Sequence, residues 1–440
     1  MVPLKHEFEK IPMFDVHTHV DAEHMTARGL DDILLYHMVG TELYSSGCPT
    51  GDRLSEDPTD EERIARIEEA IPYIKNIENT FIFWGVRRIL KELYEWDKPI
   101  TLENWRELDS IIRRKAADPS WAREILRRAN VCGLTTEKWR GHGGIADDIM
   151  VYSLEWAMFN RAQYKVYDTT LIELEYAWTQ DEPAPPIPVT ADVRSLPGVG
   201  RIRTIEDVYA ALDHYCSRIP KDVLSNAQHF STDLDYTPVT EDQMVEALKN
   251  RDHAGEKECN IYGSFVLHEF LKRCEKDCPQ IAFQYSFGAE PLRYETGAKL
   301  SSKSLFQFVE VANRFPKINF VAFNASDSDD HAFCSVIRET PNLYAAGFWW
   351  HCFFPAVIEK EMDMRLDMLP NNKFLGYFSD AYCLDWLYAK ATFVRSMYAN
   401  VFQKRIDRGQ LNEESACLLF RKIVHDNPLA FYRLSEKFNR

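Results

Sequence analysis

The stretch Phe14-Asp15-Val16-His17-Thr18-His19 limits what this chain can become more than any other. It follows the short apolar run Ile11-Pro12-Met13 near the N-terminus. Extended backbone sends successive side chains to opposite faces, so residues two apart leave on the same side. A strand ending here projects the imidazoles of His17 and His19 from one face. Two imidazoles held side by side supply half of a metal site. The same pair also serves as plain polar residues where a strand meets a turn. The choice between these readings depends on whether the rest of the chain brings a further ligand to that spot.

Beyond His19 the periodicity changes. Residues 22–127 read as helical, with no convincing strand. Ile74, Ile77, Phe81, Trp84, Ile89, Leu90 and Leu93 recur at helical spacings. The block is expected to be a helical insertion after the first strand, its aromatic residues serving packing. Residues 130–135 read as the second strand. The third is placed at 187–193, although its prolines weaken a hydrogen-bonded ladder. The fourth falls at 223–230, and further strands at 281–287, 318–323, 343–347 and 374–379. Helical stretches at 205–216, 243–248, 264–274, 305–314, 330–339 and 357–369 separate most of them. Strands alternating with helices predict a parallel sheet. Eight of them predict an α/β fold, a closed (β/α)8 TIM barrel, as one domain over residues 1–440 with a helical C-terminal tail. The proline-rich 181–186 reads as a stiff surface linker within that plan.

A barrel of this kind takes about 250 residues before insertions. The 440 residues, 45% of them hydrophobic, are ample for it. Lys and Arg number 52 against 68 Asp and Glu, a formal charge of −16. That balance argues against a general affinity for nucleic acid or anionic membranes, which needs basic patches. It leaves an anionic small molecule open as substrate, because local Arg and His residues decide that. The ten cysteines are scattered without a Cys-x-x-Cys pair, and Cys274 and Cys278 have no matching pair downstream. They read as free buried thiols in a reducing compartment. There is no apolar core of signal-peptide length and no uncharged apolar run of transmembrane length. The expected location is cytoplasmic. Gly198-Val199-Gly200 is too little for a phosphate loop, and no dinucleotide fingerprint is present. The subunit count, monomer or homo-oligomer, is not fixed by the sequence.

In a (β/α)8 barrel the chemistry sits at the C-terminal ends of the strands. The first strand ends at His17 and His19, and the eighth at Ser379-Asp380. Closure makes these strands neighbours, so Asp380 can meet both imidazoles. Two imidazoles and a carboxylate suit Zn²⁺ or a similar divalent ion, with positions left for water or substrate. Asp380 alternatively caps the helix that follows it.

Several stretches, taken together, resemble the uronate isomerases (glucuronate isomerase type), a branch of the amidohydrolase superfamily. They are Phe14–His19, Leu35-Tyr36-His37-Met38, residues 130–136, Phe315-Pro316-Lys317-Ile318, Gly347-Phe348-Trp349-Trp350, residues 374–380, and His425-Asp426-Asn427-Pro428-Leu429-Ala430. The resemblance implies a barrel with a helical insertion after strand one, a divalent metal, and aldose–ketose isomerisation of a hexuronate through an enediol. It implies that His17, His19 and Asp380 are metal ligands and that His37 is an active-site histidine. It places Trp349 and Trp350 near the site, and aligns Arg194 and His229 with residues after strands three and four. The chain departs from the family at four places. Met38 stands where a Tyr follows the insertion histidine, and Thr41 where an Arg lies three residues further on. Tyr382 replaces an Arg two residues after the strand-eight Asp, and Ser286 replaces a strand-five His. Arginines grip a uronate carboxylate by paired hydrogen bonds, and a Tyr serves as a proton-transfer partner. These departures bear on substrate and isomerisation more than on the metal.

Two functions remain. One is a uronate-isomerase-like enzyme, with Asp380 and His37 nearest the migrating proton and Tyr382 as a stand-in hydroxyl. The other is a metal-dependent hydrolase of a small ester, lactone or amide, with Asp380 as base.

Overall fold

The computed structural model describes residues 4–50, 58–155, 166–181, 187, 192–229, 235–287, 303–349 and 352–438. Eight parallel strands form one sheet, neighbours in space following neighbours in sequence. They are β1 (Met13–Asp15), β2 (Val131–Glu137), β3 (Met150–Glu155), β4 (Val223–His229), β5 (Ala282–Phe287), β6 (Phe320–Asn324), β7 (Leu343–Ala346) and β8 (Phe374–Leu375). The sheet curls in the manner of a TIM barrel. The backbone just past β1 meets the backbone just past β8. Val16 N–H donates to the Tyr377 carbonyl (3.2 Å), Asp380 N–H to the His17 carbonyl (3.1 Å), and His19 N–H to the Ala381 carbonyl (2.8 Å).

The third strand is not where the sequence placed it. It is Met150–Glu155, paired with β2 on one side and β4 on the other. Of the segment expected to be that strand, residues 188–191 lie outside the described residues, and Val193 opens a 3-10 turn, Val193–Ser195. The physical reason is visible in the sequence. Met150-Val151-Tyr152-Ser153-Leu154 can donate a backbone N–H at every position, whereas prolines remove those donors from 183–188. The real strand is short and its apolar run is broken by a serine, which made it easy to pass over.

No strand occurs among the described residues between β1 and β2. Helices fill that interval, among them Leu30–Leu34, His37–Ser45, Asp60–Ala70, Phe81–Tyr94, Trp105–Ala116 and Trp121–Ala129. Thr59 caps one of them reciprocally with Glu62. The helix Phe81–Tyr94 buries Ile82, Val86, Ile89, Leu90 and Leu93, the stripe expected at 3.6 residues per turn. It packs against the long C-terminal helix Leu384–Asp407 so closely that a Cβ on Gly85 would stand 2.6 Å from the Trp386 ring. The insertion is thereby fixed to the helix that follows β8.

The helical tail closes the barrel interior. Leu429, Tyr432 and Leu434 pack with Phe14, Val16, Val321 and Leu375 in one buried cluster. No helix among the described residues is long and apolar enough to cross a membrane.

Asp15 clamps the seam. It is fully buried, and its Oδ1 accepts the backbone N–H of Ser379 (3.0 Å) and, more weakly, of His17 (3.3 Å). Burial pushes its carboxyl up to about 7 despite these bonds. Asn, a stand-in for the protonated acid, keeps the acceptor, whereas Ala leaves two buried N–H groups without one. Each such loss costs about 1–3 kcal/mol. Asp15→Ala is therefore expected to lower unfolding free energy by about 2–6 kcal/mol and Asp15→Asn by clearly less. Chemical denaturation measures both. Equal effects would show that the acceptor is not what matters.

Candidate metal centre

The first strand is shorter than expected, and His17 and His19 lie two and four residues past its last residue, Asp15, at the C-terminal edge of the strands. Asp380, from the turn after β8, meets them there. One ligand atom from each of the three residues lies within 4.8 Å of the others. His19 Nε2 is 3.3 Å from Asp380 Oδ1, and His17 Nε2 is 3.8 Å from the same oxygen. Two ligands held at zinc-like bond lengths around a tetrahedral ion stand about 3.3 Å apart. All three side chains are almost wholly buried.

The hydrogen bonds behind the imidazoles decide which nitrogen faces the centre. Gln284, on β5, gives its amide N–H to the Val16 carbonyl (2.8 Å) and reaches the Tyr432 hydroxyl (2.7 Å). A carbonyl only accepts, so the other end of Gln284 is its oxygen. That oxygen lies 2.9 Å from His17 Nδ1, which must carry the proton. His17 Nε2 is left with a lone pair aimed at Asp380. His19 is treated the same way by Glu137, the last residue of β2, whose carboxylate accepts from His19 Nδ1. The other Glu137 oxygen takes the Arg140 guanidinium. Partners of this type fix tautomer and ring orientation at metal-bound histidines. The donor set and its supports fit a divalent ion.

The electrostatics agree. Burial, and then the neighbouring His19, push the His17 imidazole down to about 4, so it is neutral at pH 7. Burial works against a charged His19 as well, but Glu137 beside it holds its pKa well above the ordinary value. A divalent ion held by His17, His19 and Asp380 would take the place of that proton. Burial is the largest influence on Asp380 and opposes its charge, but His19, Lys390 and His37 together keep the carboxyl well below the usual range. Asp380 has φ of +55°, a conformation few residues with a Cβ adopt and Asp tolerates better than most.

His37 opens the helix His37–Ser45 in the insertion, and its Nε2 is 3.7 Å from Asp380 Oδ2. The Tyr382 ring stacks on His19 (4.7 Å between centroids, 27° between planes) and meets His37 edge-on at 5.5 Å. A cavity of about 220 Å³ opens beside them, lined among others by His19, Tyr36, His37, Arg140 and Tyr382. A larger cavity, about 550 Å³, lies in the insertion and has no histidine or cysteine in its lining.

The remaining expected residues stand as follows. Trp349 is buried edge-on to Phe323 (5.6 Å), which in turn lies 5.5 Å from the His17 ring. Trp350 lies outside the described residues. His229 ends β4 and is in register with Ser286 of β5. Arg194 sits in the turn Val193–Ser195, both terminal nitrogens bonded to Asp168 (2.9 and 2.7 Å), which also takes Arg251. Met38 is buried, and the Thr41 hydroxyl donates to the His37 carbonyl (2.9 Å).

Sequence reading missed Gln284, Glu137 and Asp15. A signal existed for the first two. Gln284 shares a strand face with Ala282 and Ser286, where an interior residue is ordinarily apolar, and Glu137 closes a strand at the edge where chemistry is expected. Asp15 adjoins His17 by one residue, but its task is across the seam, which no local pattern shows.

No family model matches the sequence, and no curated relative matches it. Solved structures do. A glucuronate isomerase from Caulobacter crescentus superposes with a TM-score of 0.76 at 13% identity, covering 98% of this chain and 93% of its own. A uronate isomerase from Thermotoga maritima gives 0.72 at 14%, covering 98% and 96%. A Lactobacillus casei protein designated a candidate metal-dependent hydrolase gives 0.61 at 11%, covering 99% of both chains. The chain thus shares the fold of the uronate isomerases along nearly its whole length, at sequence identities of 13–14%.

Proposed function

We propose that this chain is a metal-dependent aldose–ketose isomerase acting on a hexuronate of the glucuronate or galacturonate type. The observation that carries the reading is the double engagement of Asp380. Its Oδ1 faces the two Nε2 atoms of His17 and His19, while its Oδ2 faces His37. A divalent ion held by His17, His19 and Asp380, Zn²⁺ in this reading, supplies the positive charge that polarises a carbonyl and its neighbouring hydroxyl.

The protein's own groups then have to move one proton between adjacent carbons. Asp380 is ionised, and its Oδ2, which faces His37 and not the two imidazoles of His17 and His19, is placed to act as the base. His37, 3.7 Å from its second oxygen, is placed to pass the proton on. Tyr382 walls the cavity where the family carries an Arg, and puts a hydroxyl there instead of a cation. His229 and the Trp349-Trp350 pair are assigned to the substrate side. Arg194 holds a substrate carboxylate in this reading only by giving up Asp168.

A second reading, hydrolysis of a small ester, lactone or amide, is favoured by the replacements at Met38, Thr41, Ser286 and Tyr382, and by the likeness to the Lactobacillus casei protein. There Asp380 acts as base toward the attacking water.

Incubation with D-glucuronate and D-galacturonate in deuterium oxide separates the two. The isomerase reading predicts a ketose product, with deuterium at the carbon that receives the proton. Absence of product and of exchange on both sugars, with turnover of a lactone or ester, would replace it by the hydrolase. In either case Asp380→Asn is expected to remove turnover by at least about 10³-fold while the protein stays folded by circular dichroism; wild-type rates in that variant would take Asp380 out of the mechanism. Dialysis against a chelator is expected to abolish activity and added Zn²⁺ to restore it, and activity that survives complete metal removal would exclude the metal.

A further inference from the structure

Asp380 keeps an uncommon backbone conformation, and something must hold it there. The carbonyls on either side of its Cα are engaged by one buried pair. Lys390 Nζ donates to the Ser379 carbonyl, the one preceding Asp380, at 2.6 Å. It also donates to the Tyr36 hydroxyl at 2.7 Å. The Tyr36 hydroxyl donates in turn to the Asp380 carbonyl at 2.9 Å. Both carbonyls therefore lead to one ammonium group. Lys390 is 2% exposed, on the helix Leu384–Asp407. Burying an ammonium is costly unless its donors are used, so its place argues that these bonds matter.

The pair is itself held in place. The Tyr36 ring stacks on Trp386 (4.4 Å, 25°), and Trp386 fits only because position 85 is glycine. The Tyr36 ring also lies 4.2 Å from the His37 ring, tilted by 59°. One tyrosine thus touches the backbone of the acid and the ring of the histidine facing it.

We propose that Lys390 and Tyr36 are positioning residues that fix the Asp380 backbone so that its carboxylate meets His17, His19 and a divalent ion together. The inference rests on the metal-centre reading, and it names two residues outside the donor set. Met38 follows His37, and the tyrosine that precedes it reaches the strand-eight turn.

The test uses the full-length protein with Co²⁺ alone as probe. Tyr36→Phe keeps the ring and its stack, and removes only the hydroxyl. It is expected to lower the apo unfolding temperature, because the Lys390 ammonium and the Asp380 carbonyl each lose a partner. In the protein that remains folded, it is expected to weaken Co²⁺ binding about ten- to hundredfold and to change the shape of the visible Co²⁺ absorption. Lys390→Met is expected to act in the same direction and more strongly. Variants with wild-type Co²⁺ affinity and spectrum, even if less stable, would reduce the pair to ordinary core packing and overturn the proposal. A wild-type protein that binds no Co²⁺ would instead overturn the metal-centre reading beneath it.

Discussion

The seam between the first and last strands is the constraint on which the rest depends. Three backbone hydrogen bonds join residues 16–19 to residues 377–381. They bring two imidazoles and a carboxylate, more than 360 positions apart in the sequence, within ligand distance of each other. No local interaction could do this. It follows from closing a parallel sheet, whose strands all present their C-terminal ends at one rim. The buried Asp15 shows how tightly the seam is drawn, since its carboxyl accepts from the backbone on both sides of it, at His17 and at Ser379.

Around that seam the structure is built in successive supports. The C-terminal tail sends Tyr432 up to Gln284, Gln284 orients His17, and Glu137 orients His19. The insertion supplies His37 and Tyr36 from a different direction, and the helix Leu384–Asp407 supplies Lys390 and Trp386. Parts of the chain far apart in sequence therefore contribute contacts to a small volume at the rim. This explains why the insertion, though not part of the barrel plan, is inseparable from the site.

Much of this was legible in the sequence, for identifiable reasons. A strand ending in His17-Thr18-His19 and another ending in Ser379-Asp380 could be paired because barrel closure makes the first and eighth strands neighbours. Strands β5 and β6 announced themselves by runs such as Phe320-Val321-Ala322-Phe323. The helices between β1 and β2 were foreshadowed by apolar residues at helical spacing, as along Phe81–Tyr94. What was hidden is what depends on contacts distant in sequence. β3 was displaced to a proline-rich stretch because a six-residue strand containing Ser153 and ending in Glu155 carries little pattern of its own. The partners of the imidazoles come from β2 and β5, so their tasks cannot be read from neighbours in the chain. Arg194 was aligned by its distance past a strand that turned out to lie elsewhere, and its guanidinium is engaged by Asp168.

The central claim is that His17, His19 and Asp380 bind one divalent ion. Anomalous diffraction from crystals of the purified protein, measured on both sides of the zinc absorption edge, tests it most directly. The account predicts a single strong peak about 2.0–2.2 Å from His17 Nε2, His19 Nε2 and an Asp380 oxygen. A map without a peak there after soaking in Zn²⁺, or with the ion held by other residues, would contradict it.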